Sequence, residues 1–219
     1  MSARYDLIVF DWDGTLMDSA ARIVSSLKSA GEDLSLPVRS DAECRNVIGL
    51  GMYEAITTLH PGLDPENANR FVDRYRHHFL LACPLPEVLF DGVHEILQSL
   101  EQRRIWLGVA TGKSRKGLDR VLEQTGCKRY FHSTRCADET CSKPDPMMLR
   151  EIIADLGVTP ERTLMIGDTE YDMEMAQRAG TAALAVSYGA HEFHRLEKYQ
   201  PLACLDSVES MGRWLMNNL

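Results

Sequence analysis

The feature that most constrains the fold is a regular alternation of short apolar segments and amphipathic helical segments. Apolar and β-branched runs predict strands at residues 4–10, 105–110, 130–133, 163–166, 182–186 and 202–205. The spacing of apolar residues predicts helices at 92–103, 114–126, 145–156, 171–179 and at the C-terminus. Strands and helices that alternate at this spacing form crossover units. We therefore predict an α/β fold with a doubly wound parallel sheet, a Rossmann-like core.

The segment from residue 16 to residue 85 departs from this alternation. Its pattern is helical and is interrupted at Gly49-Leu50-Gly51. Ser19 is placed to cap the first of these helices. Pro84 and Pro86 deny the backbone a helix or a central strand, so they indicate a boundary. We therefore predict two domains, an α/β core formed by residues 1–15 and 86–219 and an inserted α-helical cap formed by residues 16–85.

Charge and hydropathy argue against several classes of partner. The 219 residues include 24 Lys and Arg against 32 Asp and Glu, a net charge of −8. A nucleic-acid binder would show a basic footprint, so no nucleic-acid partner is predicted. No apolar run approaches the roughly 20 residues of a spanning helix, so no membrane partner is predicted. The early charge at Asp6 argues against a signal peptide, and six scattered cysteines suit a reducing, cytoplasmic location.

Polar residues collect at the predicted carboxyl ends of the strands, where open parallel sheets bind their ligands. Asp11 and Asp13 follow the first strand, Thr111 follows the strand at 105–110, and Asp168 follows the strand at 163–166. Asp11 and Asp13 are two residues apart, so both side chains can leave the same side of an extended chain. One carboxyl can act as a nucleophile and the other as a proton donor. A solvated acidic turn is the alternative for this pair.

Further charged residues at these ends suggest a metal and a phosphate site. Asp168 and Asp172 add carboxylates, and an oxygen-rich cluster suits a hard cation such as Mg²⁺. Lys143 and the cation would offset the negative charge of the cluster, so that a phosphate could bind. Thr111 and the amides after it could bind phosphoryl oxygens. Taken singly, Lys143 is better interpreted as a surface lysine and Thr111 as an ordinary strand end.

Together these residues resemble the motifs of the haloacid-dehalogenase-like hydrolases. Asp11-Trp12-Asp13-Gly14-Thr15-Leu16 is similar to the DxDGTL signature, and Thr111-Gly112 is similar to the second motif. Lys143-Pro144 resembles the third motif, and the run from Gly167 to Asp172 resembles the GDxxxD-type fourth. All four motifs stand in the family's order along essentially the whole chain. The resemblance is closest to the phosphoglycolate-phosphatase-like branch, in which a small helical cap follows the first motif.

The resemblance implies a phosphatase that hydrolyses a small phosphomonoester, phosphoglycolate-like or a sugar phosphate, through an aspartyl-phosphate intermediate. Asp11 would be the nucleophile. Asp13 would protonate the leaving oxygen and then deprotonate the water that hydrolyses the intermediate. The partner would be a small phosphorylated metabolite, and the cap would recognise its leaving group.

The resemblance also assigns the groups that bind phosphate and metal. Thr111, Gly112 and Lys143 would bind the phosphoryl group, and Lys143 would also steady Asp11. The cofactor would be Mg²⁺, held by Asp11, the main-chain carbonyl of Asp13 and Asp168, with Asp172 in the outer shell.

Gly112 departs from the asparagine often found after the second-motif threonine, although a backbone amide suffices at that position. Asp13 favours phosphate esters, because related dehalogenases and phosphonate-cleaving enzymes lack an aspartate there. A phosphosugar mutase of the same fold and a catalytically idle phosphate-binding protein are the alternatives. The sequence leaves open the physiological substrate and the choice between a monomer and a homodimer.

Several other polar residues are weaker candidates. His191 and His194 are three residues apart and would share one face of a helix, as paired metal ligands do. No third ligand is evident, so a packing or exposed position is preferred for both. Arg22, Arg45 and Asn46 are candidates for contact with the substrate.

Overall fold

A six-stranded parallel sheet forms the centre of the molecule, and the computed structural model describes residues 4–219. The strands are β1 (Leu7–Phe10), β2 (Met17–Asp18), β3 (Val88–Leu89), β4 (Trp106–Thr111), β5 (Ser133–Cys136), β6 (Thr163–Gly167), β7 (Ala182–Val186) and β8 (Cys204–Leu205). The order in the large sheet is β5-β4-β1-β6-β7-β8, and neighbouring strands are parallel. The chain therefore adds strands on one side of β1 and then returns to its other side.

Helices cover the sheet and fill the insertion between β1 and β4. They are α1 (Ala20–Asp33), α2 (Asp41–Asn46), α3 (Met52–Leu59), α4 (Pro65–His77), α5 (Val93–Gln102), α6 (Arg115–Gln124), α7 (Met147–Leu156), α8 (Glu170–Ala179), α9 (Phe193–Glu197) and α10 (Val208–Asn218). The predicted fold class, a doubly wound parallel sheet with an inserted helical cap, is confirmed. None of the helices within residues 4–219 combines the length and the apolar character that crossing a bilayer requires.

Alternate residues of β1 belong to two apolar cores, one on each face of the sheet. Ile8 and Phe10 pack in the core that contains residues of α5, α6 and α10. Leu7 and Val9 pack in the core that contains residues of α7 and α8. Successive side chains of a strand point to opposite faces, so this four-residue apolar run is buried on both sides. The burial fixes β1, and with it the residues that follow Phe10.

The insertion has an apolar cluster of its own. Ile23 and Leu27 of α1 pack with Ile56 of α3 and Phe71 of α4 in this cluster. At its base β2 pairs with β3 as an antiparallel ribbon, so the chain enters and leaves the insertion at neighbouring points. Each strand of this ribbon has only two residues, too few to show an alternating pattern, and the ribbon was not predicted from the sequence.

The strand predicted at residues 130–133 begins three residues later, as β5. Cys127–Tyr130 forms a 3₁₀ turn, and Tyr130 is buried from that turn against the core of α5 and α6. The apolar character that suggested a strand here therefore reflects burial of a turn. The register of β5 is set by its pairing with β4, where Gly108 lies opposite Ser133.

Candidate active site

The register of the central strands gathers their carboxyl ends into one place. Phe10 lies opposite Val109 of β4 and Ile166 of β6, and the Asp11 amide donates a hydrogen bond of 2.9 Å to the Ile166 carbonyl oxygen. Asp11 and Asp168 directly follow β1 and β6, and Thr111 is the last residue of β4, so the three lie at the same edge of the sheet. This edge lies at the switch point, where the chain changes from one side of β1 to the other, as ligand sites in open α/β sheets do.

Asp11 is bound to a buried lysine. Lys143 Nζ lies 2.8 Å from Asp11 Oδ1 and 2.7 Å from Asp172 Oδ1, and all three side chains are buried. Lys143 is therefore not a surface lysine. Asp11 Oδ1 also accepts a hydrogen bond of 2.6 Å from the Trp12 amide, whereas Asp11 Oδ2 has no hydrogen-bond partner among the described residues. Burial raises the pKa of Asp11 above its ordinary value, and the Lys143 charge opposes that rise.

Asp168 is fixed by the loop that follows β1. Its Oδ1 accepts a 2.8 Å hydrogen bond from the Thr15 hydroxyl, and its Oδ2 accepts a 2.7 Å hydrogen bond from the Ala190 amide. Gly14 adopts φ +83°, and a Cβ there would lie 2.2 Å from Asp168 Oδ2. Only glycine allows the loop to approach Asp168 this closely. Burial, followed by the Asp172 carboxylate, raises the pKa of Asp168 to about 7.

These acidic groups form a donor set that fits a divalent cation. One carboxylate oxygen from each of Asp11, Asp168 and Asp172 lies within 4.8 Å of the others. Three carboxylates against the single Lys143 charge give 1 − 3 = −2 when all are ionised. An all-oxygen set with this excess of negative charge suits a hard cation such as Mg²⁺. Asp172 is also held by Thr169, whose hydroxyl donates to Asp172 Oδ2 at 2.7 Å.

Asp13 has a separate environment. The Ser19 hydroxyl donates to Asp13 Oδ1 at 2.6 Å, and Lys113 Nζ lies 3.0 Å from both carboxylate oxygens. Lys113 also lies 3.8 Å from Glu87, whose carboxylate pairs with Arg120 at 2.7 Å. Two carboxylates that follow one strand therefore have different cations as partners. Such unlike environments allow two carboxyl groups to perform different functions.

Three of these groups were missed or misread in the sequence. Ser19 was predicted to cap α1, but although it occupies the N-cap position its hydroxyl is bonded to Asp13. Lys113 directly follows Thr111-Gly112 at a strand end, a signal that could have identified it. Glu87 lies outside every motif. It reaches Lys113 only because of the path that the chain takes as it leaves the insertion.

The second motif contacts a loop of the insertion. Thr111 is buried, and its hydroxyl accepts a 3.2 Å hydrogen bond from the Lys113 amide. A Cβ at Gly112 would lie 2.4 Å from the Leu50 carbonyl oxygen and 2.7 Å from that of Gly49. An asparagine at position 112 would therefore collide with this loop, which explains the departure from the family's pattern. The Gly51 amide also donates to the Ser142 hydroxyl at 2.7 Å.

A cavity of about 480 Å³ lies between these motifs and the insertion. Asp11, Asp13, Thr111 and Gly112 line it on the core side. Lys143, Asp168 and Asp172 are fully buried and reach the cavity through Asp11. All the predicted site residues thus belong to one connected arrangement.

Two of the three insertion residues suggested for substrate contact, Arg22 and Asn46, have other partners. Arg22 Nε donates to the Phe79 carbonyl oxygen at 2.8 Å. Asn46 Oδ1 accepts a 2.7 Å hydrogen bond from Arg195. Arg45 is exposed in the last turn of α2. Arg22 therefore holds the insertion together, and Asn46 attaches it to the core.

His191 and His194 do not share a helix face. α9 begins at Phe193, so His191 precedes it and is buried, whereas the His194 side chain is 63% exposed. The Glu170 amide donates to His191 Nδ1 at 3.2 Å, so the neutral ring carries its proton on Nε2, 3.3 Å from the Asn46 carbonyl oxygen. His191 therefore joins the start of α8 to the insertion, and the predicted packing position is confirmed for it.

This histidine is expected to make the protein sensitive to acid. Burial lowers the pKa of His191 to about 4, whereas an unfolded chain binds the same proton below about pH 6.5. The unfolded state binds more protons in that window, so the free energy of unfolding falls as the pH falls from 6.5 to 4. His191→Gln should reduce this fall in the free energy of unfolding by about 3 kcal/mol. Urea titrations at pH 6.5 and at pH 4 measure it. His194→Gln is the matched control, and equal curves for the two variants would contradict the assignment.

Comparison with known proteins supports the resemblance of the motifs. Residues 8–186 match the family described as haloacid dehalogenase-like hydrolase. The chain belongs to the haloacid dehalogenase-like hydrolases. The predicted family and the prediction of a hydrolytic enzyme are therefore confirmed.

Three similar proteins illustrate the range of this family. "Probable phosphatase IndB" of Dickeya dadantii is 34% identical over 209 residues, which are 94% of this chain and 91% of that protein. Phosphoglycolate phosphatase of Mesorhizobium japonicum is 28% identical over 210 residues, 94% of this chain and 92% of that protein. A crystal structure described as a predicted phosphatase from Clostridium acetobutylicum is 25% identical, with a TM-score of 0.86 over 99% of this chain and 100% of that one.

Proposed function

We propose that this hydrolase is a Mg²⁺-dependent phosphatase that cleaves phosphomonoesters through an aspartyl-phosphate on Asp11. The observation that carries the proposal is the geometry of Asp11. Its Oδ1 is held by Lys143 and the Trp12 amide, while its buried Oδ2 has no partner among the described residues and the residue lines the cavity. One oxygen is thus fixed and the other is free to attack. The phosphatase names of the relatives support the same reaction class.

The reaction would proceed in two steps at these side chains. Asp11 Oδ2 attacks phosphorus, so that a P–O bond to Asp11 forms while the bond to the leaving oxygen breaks and Asp13 gives that oxygen a proton. Asp13 then takes a proton from water as the water oxygen attacks phosphorus. The bond to Asp11 breaks and inorganic phosphate leaves. Throughout, Lys143 holds Asp11 in position by its ion pair.

The phosphoryl oxygens would be bound at the end of β4 and around Asp11. Thr111 supplies a hydroxyl, Gly112 a backbone amide and Lys143 a positive charge. Asp11, Asp168 and the main-chain carbonyl of Asp13 would hold Mg²⁺, with Asp172 in the outer shell. When bound, the cation would neutralise negative charge on the phosphoryl group.

We further propose that residues 16–85 act as a cap on a core formed by residues 1–15 and 86–219. The separate apolar cluster of the insertion and the two-residue strands at its base support this division. The contact of the loop at Leu50 with Gly112 corresponds to a closed position over Asp11. Closure would exclude water from the leaving group, as lids do in other enzymes. The substrate would be a small phosphorylated metabolite.

The proposal is tested by phosphate release. We expect purified protein to hydrolyse p-nitrophenyl phosphate, and EDTA to lower the rate by about 10²-fold or more, because several kcal/mol of charge stabilisation are lost. Excess Mg²⁺ should restore the rate. Release of inorganic phosphate also separates a phosphatase from a mutase, which returns the phosphoryl group to its substrate. Full activity in EDTA would contradict the metal assignment.

A binding measurement separates the metal site from turnover. Asp168→Asn should weaken Mg²⁺ binding in titration calorimetry, because it removes one charged oxygen donor from the cluster. Asp91→Asn makes the same chemical change at an exposed position and serves as the control. Equal Mg²⁺ affinities for the two variants would place the cation elsewhere.

A further inference from the structure

The cavity above Asp11 is larger than a two-carbon leaving group needs. Its volume of about 480 Å³ lies in the range of about 300–1,000 Å³ that holds drug-sized ligands. Asp11, Asp13, Thr111 and Gly112 form the part of the lining where the phosphoryl group would bind. The insertion and the first turns of α6, with Lys113 and Asp138, line the rest of the volume. This remaining volume is therefore available to the leaving group.

The wall that the insertion contributes is apolar. Tyr75 and Phe79 stack with their ring centroids 5.6 Å apart, and Phe79 is fixed by the hydrogen bond from Arg22 Nε to its carbonyl oxygen. Of the lining side chains that the described insertion supplies, only Tyr75 and Arg76 carry a nitrogen or an oxygen. The apolar members of this wall include Ile23, Leu27, Val47, Ile48, Phe79 and Leu80.

The cations that line the cavity are paired or exposed. Lys113 is bound to Asp13 and Glu87, and Arg120 is bound to Glu87. Arg76 and Lys116 are exposed to solvent. A carboxylate on the leaving group would lose its hydration beside this wall and would have to compete with Asp13 and Glu87 for Lys113. Sugar hydroxyls would find polar partners on the core side of the cavity, such as Ser114 and Asp138, but few on the insertion. An apolar group would lose only unfavourable contact with water.

We propose that the leaving group is an apolar alcohol, aliphatic or aromatic and larger than glycolate. This inference rests on the proposed phosphatase function and adds the class of substrate. The phosphate supplies the charge that the core recognises, and the carbon skeleton is selected by burial against the insertion. Phosphoglycolate and sugar phosphates are then poor substrates for this member of the family.

A pair of substrates of equal shape tests the proposal on the unmodified protein. Isobutyl phosphate and phosphoglycolate both place a three-atom end, branched or planar, beyond one methylene, but only phosphoglycolate carries a charged group besides the phosphate. We expect kcat/KM for isobutyl phosphate to be at least about tenfold higher, because the carboxylate would be desolvated beside cations that Asp13 and Glu87 already pair. Along methyl, ethyl, propyl, butyl and hexyl phosphate, kcat/KM should rise about three- to fourfold per methylene.

Two neighbouring leucines provide a matched pair of variants. Leu80 lines the cavity and is 47% exposed, whereas Leu81 is 78% exposed and lies outside the lining. Leu80→Gln should flatten the rise along the alkyl series, and Leu81→Gln should leave it unchanged. Both positions face solvent in part, so neither variant empties the core of the insertion.

Acetyl phosphate, an activated donor with a small leaving group, separates the two levels of the proposal. Hydrolysis of acetyl phosphate together with a flat alkyl series, or with a preference for phosphoglycolate over isobutyl phosphate, would overturn the apolar leaving group alone. Absence of hydrolysis for acetyl phosphate and for every ester would overturn the phosphatase function as well. A rising series with isobutyl phosphate preferred supports both.

Discussion

Replacement of Asp11 by asparagine is expected to lower turnover by about 10⁴-fold or more and to abolish covalent incorporation of phosphate at the same time. The amide keeps the size of the side chain but provides no anionic oxygen to attack phosphorus. Among the described residues, two other carboxylates line the cavity, and each has its own partners: Lys113 and Ser19 hold Asp13, and Asp138 accepts a 2.9 Å hydrogen bond from the Arg115 amide. Asp168 and Asp172 lie close to Asp11 but are fully buried and do not line the cavity. We therefore expect none of these carboxylates to substitute for Asp11.

The measurement combines steady-state rates with mass spectrometry of acid-quenched protein. Unmodified enzyme mixed with an activated ester should show one added phosphoryl group on the peptide that contains Asp11, and Asp11→Asn should show none. Asp91→Asn controls for the same chemical change at an exposed site. Thermal unfolding checks that the variant is folded. We expect it to be folded, because Lys143 keeps Asp172 as a partner at 2.7 Å. If Asp11→Asn retained most of its turnover, direct attack by water would replace the covalent route.

The central sheet could be predicted because its strands carry their signal locally. Leu7–Phe10 is apolar on both faces, and the polar residues that follow each strand stand in the sequence next to the strands that position them. The edge at which Asp11, Thr111 and Asp168 meet then follows from parallel topology alone. Besides the parallel topology, only the register of the strands was needed to bring these three residues together.

The features that could not be predicted depend on contacts between distant segments. Lys113 reaches Asp13 across 100 residues of sequence, and Glu87 joins them only because the chain leaves the insertion beside β4. The ribbon of β2 and β3 has two residues in each strand, so it has no period to detect. The steric reason for Gly112 lies in a carbonyl oxygen of Leu50, which no local pattern could place there.

The apolar wall of the cavity also depends on contacts between segments that are distant in the sequence. Leu27 belongs to α1, Val47 follows α2, and Phe79 follows α4. Each looks in the sequence like an ordinary core residue of an amphipathic helix or turn, and each does belong to the cluster of the insertion. Only their common position above Asp11 gives them a second function. In the proposed function, the family motifs carry the chemistry of the core, whereas residues outside those motifs select the leaving group.

Replacement of Asp13 by alanine should separate the two chemical steps. With an unactivated alkyl phosphate, turnover is expected to fall by about 10³–10⁴-fold, because both expulsion of the leaving group and activation of water lose proton transfer. With an activated ester such as 2,4-dinitrophenyl phosphate the leaving group needs little protonation, so the first step should be nearly preserved. Hydrolysis of the intermediate still requires a base, so it should become the slow step.

The expected result is a burst of one dinitrophenol per protein followed by slow turnover, with the phosphoryl group on the peptide that contains Asp11. Asp13→Ala leaves Lys113 beside Glu87 at 3.8 Å, so the lysine keeps an anionic partner. Asp91→Ala is the control for the same truncation at an exposed site. The double variant Asp11→Asn, Asp13→Ala should show no burst, which ties the trapped group to Asp11. A variant that slows equally with both esters and accumulates nothing would show that Asp13 orients the substrate and transfers no proton, because only proton transfer depends on the basicity of the leaving group.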